Sequence, residues 1–261
     1  MSQIRQPAVA DRFYPGDVAE LEGMLDAYLS SAEVHAPPPK ALIVPHAGYL
    51  YSGPVAASAY ATLAPVSRIL SRVVLLGPSH RVPLHGIATS LATAFATPLG
   101  LVQIDREAVE RALRLAQVRP MEAAHALEHS LEVQLPFLQR VLDDFKLAPF
   151  VVGETSAEAV AKLLERLWGG PETLIVVSSD LSHYLDYDSA NQIDRLTSAA
   201  IESLSPDDIG PDHACGRYPL RGLLVLARRL GLKVQRLDLR NSGDTAGTRD
   251  QVVGYGAYAL H

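Results

Sequence analysis

Residues 173–184, TLIVVSSDLSHY, decide the fold. An apolar run from Leu174 to Val177 stops at two serines, and Asp180 and His183 follow, three residues apart. A continuous Val/Ile/Leu run reads as a strand buried on both faces. Two other runs end in the same way: ALIVPHAGY (41–49) delivers His46 and VVLLGPSH (73–80) delivers His80. In open α/β sheets ligands bind beyond the carboxyl ends of the strands. That rule gathers His46, His80, Asp180 and His183 at one cleft.

Working outward, strands are expected over 41–45, 72–77, 147–153, 173–178, 232–239 and 252–260. Helices are expected over 17–31 and 105–117, capped by Asp17 and Asp105. Others are expected over 53–62, with Pro54 in the first turn, and over 127–143, interrupted by Pro136. The last three helices are expected over 156–168, 189–204 and 219–230. Residues 84–103 read as short strands and a turn, and HAPPPK (35–40) as a stiff loop. The alternation predicts an α/β fold, one domain over 1–261. Its central sheet is mixed, mostly parallel, and covered by helices on both faces.

Of the 261 residues, 48% are hydrophobic and 20% charged, a globular profile. A net charge of −6 argues against nucleic acid as the main partner, which wants a basic stripe. No apolar stretch reaches the length of a membrane span, and the N-terminus lacks a signal-peptide pattern. The single cysteine, Cys215, excludes an internal disulfide. Together these predict a cytoplasmic protein without a membrane partner.

Two histidines plus one anionic ligand hold a reactive divalent metal. Here His46 and His80 offer nitrogen, and either Asp180 or Cys215 the third donor. A carboxylate suits Fe(II); a thiolate shifts preference toward copper(I), zinc or thiolate-bound iron. Cys215 precedes a helix start and Arg217, both of which favour thiolate, although a lone cysteine is commonly a small core side chain. Asp180 could equally cap a helix beginning at Leu181, leaving His183 on its surface. Otherwise His183 is a ligand or the group that moves a substrate proton. HALEHSLEVQLPFL (125–138) reads as a helix with a solvated face carrying Glu128 and Glu132. His129 and Glu132 could instead turn toward the cleft. Tyr14, Tyr49 and Tyr51 are candidate cleft-lining aromatics, with ordinary packing as the commoner role. No dinucleotide-binding, P-loop or nucleophile-elbow motif occurs.

RFYPGD, PHAGYLYSG, LLGPSH, EHSLEVQLPFL, VVSSDLSHY, ACG and GYGAYAL occur in this order from residue 12 to residue 260. Together they resemble the Memo family, which in prokaryotes includes the B member of the AmmeMemoRadiSam set. The resemblance implies a fold similar to the class III (LigB-type) extradiol dioxygenases, non-haem Fe(II) enzymes. It implies an iron or copper site at His46, His80 and Cys215, with Asp180 and His183 nearby; His129 matches by its block and inherits no role. It also implies cooperation with an AMMECR1-like protein and a radical SAM enzyme. The dioxygenases use a carboxylate as third ligand, so a thiolate here is a departure, and ring opening does not follow from fold.

The leading expectation is a non-haem iron redox enzyme, oxidase- or dioxygenase-like, acting on a small polar or phenolic substrate. The alternatives are a non-catalytic peptide- or metal-binding module, as the animal relatives' phosphotyrosine-peptide link suggests, and a Zn-dependent hydrolase with His183 as base.

Overall fold

All-apolar strands must be covered on both faces, and here they are. The computed structural model describes residues 4–33 and 36–261. The chain runs through β1 (Ile4–Arg5), α1 (Val18–Ser31), β2 (Ala41–Val44), α2 (Tyr49–Tyr60), β3 (Arg72–Pro78), β4 (Ile87–Thr89), β5 (Ala94–Thr97) and β6 (Gly100–Gln103). It continues through α3 (Arg106–Ala112), β7 (Val118–Pro120), α4 (Glu122–Ala126), α5 (Gln134–Val141), β8 (Lys146–Val152) and α6 (Ala157–Leu167). Then come β9 (Thr173–Ser178), β10 (His183–Leu185), α7 (Tyr187–Glu202), α8 (Arg217–Leu230), β11 (Val234–Asn241) and β12 (Val252–Leu260).

The main sheet has the order β10-β12-β2-β9-β3-β8-β4-β7, and β11 pairs with β12. Strands β2, β9, β3 and β8 form a parallel block, while β12 joins β2, and β4 joins β8, antiparallel. The register sets Val44 beside Ser178 and Leu76 beside Val177. Three neighbouring strands therefore end at one level, and His46, Asp180 and His80 leave from that edge. A smaller sheet, β1-β5-β6, lies apart.

Alternate strand residues sort into two cores. Leu42, Val44, Val73, Leu75, Leu174 and Val176 meet Leu21 and Leu25 of α1, Val55 and Tyr60 of α2, and Phe137 of α5. Ile43, Val74, Leu76, Ile175 and Val177 meet Ala108 of α3, Val160 and Leu164 of α6, Ile201 of α7, and Leu220 and Leu224 of α8. Each such Val, Leu, Ile or Phe side chain, fully buried, contributes about 2 kcal/mol. Local sequence signals set the helix ends. Asp17, Asp105, Ser156 and Asp186 each accept a backbone N–H at the start of α1, α3, α6 and α7. Gly231 closes α8 with φ 69°, a left-handed cap that glycine adopts without cost.

The mixed, doubly covered α/β architecture is as the sequence predicts; several boundaries are not. The helix expected over 53–62 begins at Tyr49, so Pro54 lies inside it. The helix expected over 105–117 stops at Ala112. The helix expected over 127–143 is reduced to α5, preceded by a non-helical turn over 127–133, with Pro136 in the first turn of α5, where its missing N–H costs nothing. No helix starts at Leu181; His183 opens β10. Of the proline loop 35–40, His35 lies outside the described residues, and 36–40 lead irregularly into β2. Among the described residues no helix is long and apolar enough to cross a membrane.

Candidate metal centre

His46, two residues beyond β2, is buried at 1% exposure, and His80, two residues beyond β3, opens to solvent with 26% of its side chain exposed. Cys215 comes from the turn before α8. Its N–H donates to the Asp180 carbonyl (3.3 Å), and the Gly216 N–H donates to Ser179 Oγ (3.0 Å). The loop after β9 thereby carries the cysteine to the histidines. One donor atom from each of His46, His80 and Cys215 lies within 4.8 Å of the others, and His46 Nε2 is 3.3 Å from Cys215 Sγ. Ligands about 2.0–2.3 Å from a tetrahedral ion span this separation.

The surrounding hydrogen bonds fix which nitrogen each imidazole offers. Ser178 donates its one hydroxyl proton to the Ser130 carbonyl (2.6 Å) and accepts from Gln134 Nε2 (2.8 Å). Its 2.8 Å contact with His46 Nδ1 therefore has the imidazole as donor, and Nε2 keeps its lone pair facing Cys215. At His80, Nδ1 donates to Glu128 Oε1 (2.9 Å) and the backbone N–H to Oε2 (2.5 Å), which again leaves Nε2 free. Such outer partners orient ligating histidines. Ser130 reaches this position because Gly77 has no side chain: a Cβ there would sit 2.7 Å from Ser130 Oγ.

Glu128 and Glu132 correct the solvated-face expectation, being 2% and 0% exposed. Residues 128–133 form a largely buried turn pegged by Arg5, which donates to the carbonyls of His125 and Glu128 and pairs with Glu132 at 2.6 Å. Glu132 does not reach the cluster; it accepts from the Ala8 and Val9 N–H groups and the Tyr14 hydroxyl. Tyr14 and Tyr49 are likewise buried packing groups, Tyr49 donating to the Val133 carbonyl, whereas Tyr51 is 39% exposed. His129 does join the site. Its ring stacks on His80 (4.6 Å between centroids), and with His80 and Glu128 it forms a second group whose donors lie within 4.8 Å.

Of the two candidate third ligands, Cys215 is in the cluster. Asp180 Oδ1 instead accepts the His46 N–H at 2.7 Å, so this carboxylate positions the histidine. His183 donates Nδ1–H to the Leu181 carbonyl (2.8 Å) and, with His80 and Cys215, lines a cleft of about 520 Å³.

Burial dominates the electrostatics. It drives His46 well below the usual imidazole range, helped by the neighbouring His80, and holds His129 at about 3, aided by His46 and His80. Burial alone would raise Glu128, but the hydrogen bonds from His80 outweigh it and bring the carboxyl to about 2. Burial, then the Asp180 charge, push the Cys215 thiol far up. The thiolate expected from Arg217 does not follow, because that guanidinium turns onto the Tyr218 ring, 4.6 Å away. Two imidazole nitrogens and a thiol that ionises on coordination are a borderline-soft donor set suited to iron, copper(I) or zinc.

A family model described as Memo-like protein matches residues 5–259. A MEMO1 family protein of Aquifex aeolicus is 39% identical, covering 97% of both chains, and one of Methanosarcina mazei is 37% identical, covering 98% of both. The crystal structure of an uncharacterized Escherichia coli K12 protein aligns with 82% of this chain and 98% of its own, at TM-score 0.47 and 13% identity.

Proposed function

The chain belongs to the Memo family, and we propose that it is a metal-binding redox protein in which His46, His80 and Cys215 hold an iron ion beside a small polar or phenolic substrate. One observation carries this reading: three donors from three separate elements converge, and both histidines are held to offer Nε2. Bound iron would supply electron exchange with substrate and oxygen.

The chain's own residues do the rest. Cys215 gives up its proton as the ion binds, since burial keeps the free thiol protonated. Glu128 and Ser178 keep the imidazoles in register, and Asp180 holds the His46 backbone. His183, with Nδ1–H committed to a carbonyl, presents Nε2 as the group that takes or returns a substrate proton. Cooperation with an AMMECR1-like protein and a radical SAM enzyme belongs to the same proposal and is checked by co-purification.

The test is elemental analysis of protein purified without oxygen or a metal-binding tag, comparing wild type with His46→Ala and Cys215→Ala. Near-stoichiometric iron lost in both variants, together with oxygen uptake by wild type, is the expected result. Zinc in its place would turn the reading to hydrolysis, copper to metal handling, and no metal even after reconstitution would end it.

A further inference from the structure

The cleft beside the ligand cluster is selective by composition. Its walls are Leu181, Leu185, Ile193, Pro211 and Ala214. Its polar groups are His80 and Cys215, which belong to the cluster, together with His183 and Asp212. Among the described residues, neither lysine nor arginine lines it. Two arginines of the flanking segments turn away from it: Arg217 donates to the Tyr218 hydroxyl at 2.8 Å, and Arg249 stacks on Tyr187 at 4.3 Å. Carboxylates and phosphates are recognised by fixed cationic donors, and the lining residues supply no lysine or arginine for that task. The one charged lining group away from the cluster is the carboxylate of Asp212. Apolar walls with a few placed polar groups mark a small-molecule site, and about 520 Å³ is a sufficient volume.

We infer that this cleft takes an uncharged, largely apolar small molecule, with one hydroxyl or carbonyl turned toward the ligand cluster and His183, and rejects molecules carrying an anion at the far end. The inference rests on reading His46, His80 and Cys215 as a metal site, and it narrows the substrate to the uncharged phenol type. A positive ion at the cluster could attract an anion only at that end. At the other end a carboxylate or phosphate, including that of a phosphorylated peptide, meets Asp212 and apolar wall.

Three 4-substituted phenols of similar size test this by ligand-observed NMR titration of zinc-loaded protein: 4-ethylphenol, tyramine and 4-hydroxyphenylacetate. They share the phenol and a two-carbon arm and differ at its distal end, which is neutral, cationic or anionic. The neutral probe is expected to bind saturably and the anionic probe at least about tenfold more weakly, because like charges brought together cost over 1 kcal/mol. Ile193→Trp, which fills the cleft, should abolish neutral-probe binding with metal content unchanged; Leu185→Trp serves if that variant does not fold. Asp212→Lys should reverse the preference toward 4-hydroxyphenylacetate. Equal or tighter binding of the anionic probe to wild type, no saturable binding of any probe, or neutral-probe binding that survives both blocking variants would overturn the inference. Metal content measured on the same samples keeps the two readings apart: loaded protein without charge discrimination sinks this inference alone, whereas protein that takes up no zinc sinks the metal reading.

Discussion

Glu128→Gln keeps the side chain's shape and removes its charge, and the structure gives the consequence. Oε2 accepts the His80 backbone N–H, and Oε1 accepts both His80 Nδ1–H and the Ser130 N–H, at 2.5, 2.9 and 2.9 Å. A glutamine has one acceptor oxygen. If that oxygen stays at the Oε1 position, its NH₂ faces the His80 N–H in a site 2% exposed. A buried donor left unpaired costs about 1–3 kcal/mol, which thermal unfolding of metal-free protein should detect. The ring also loses its charged acceptor, so the tautomer that offers Nε2 is less favoured. Outer-partner losses of this kind weaken metal affinity by about 10- to 100-fold, or about 1.4–2.7 kcal/mol. Competition with a chelator of known affinity under anaerobic conditions measures the change. His85→Gln is the control, its pairing with Glu154 being at the surface (84% and 68% exposed side chains). If folded Glu128→Gln binds metal within about twofold of wild type, a difference below 0.5 kcal/mol, the argument that Glu128 orients His80 as a ligand is wrong.

Ser178→Ala strands the His46 Nδ1–H but leaves Gln134 Nε2 its bond to the Pro45 carbonyl, so the fold should persist while affinity falls about tenfold in the same competition. Gly77→Ala drives a methyl against Ser130 and Leu131 and should cost about 1–3 kcal/mol of stability, read by denaturant unfolding, and weaken metal binding as well. His125, held at about 4 by burial and then by Arg5, is neutral when folded and takes a proton when unfolded. Stability should therefore fall as pH drops from about 6.5 to about 4, by about 3 kcal/mol in all, and His125→Gln should lose that part of the slope.

The strand ends were legible because parallel strands covered on both sides leave uninterrupted apolar runs, and a histidine directly after such a run can only stand at the sheet's edge. Neighbourhood within the sheet was not legible: that β9 lies between β2 and β3, so that Asp180 reaches His46, depends on pairing across more than a hundred residues. Glu128 misled because charges spaced at helical intervals read as a wet face. Instead the backbone leaves the helix there, and Arg5, from the first described strand, satisfies the turn. The roles of Ser178 and Gln134 as hydrogen-bond partners were not legible, although each left a signal, a polar side chain at the end of or inside an apolar run (VVSS and VQLPF). The protonation of the free Cys215 thiol was not legible because burial and the approach of Asp180, which raise it, are set by the fold and not by the neighbouring sequence.

The cluster joins parts of the chain that have no local reason to meet. His46 and Cys215 are 169 residues apart. An ion held by both is a cross-link across most of the polypeptide, made without a second cysteine. By the chain-entropy relation for a covalent bridge, closing a loop of that length removes about 5 kcal/mol of freedom from the unfolded chain. Metal supply would then govern the protein's lifetime as well as its chemistry. A starved chain would open more often at the turn before α8 than a loaded one, and proteases would meet it there first.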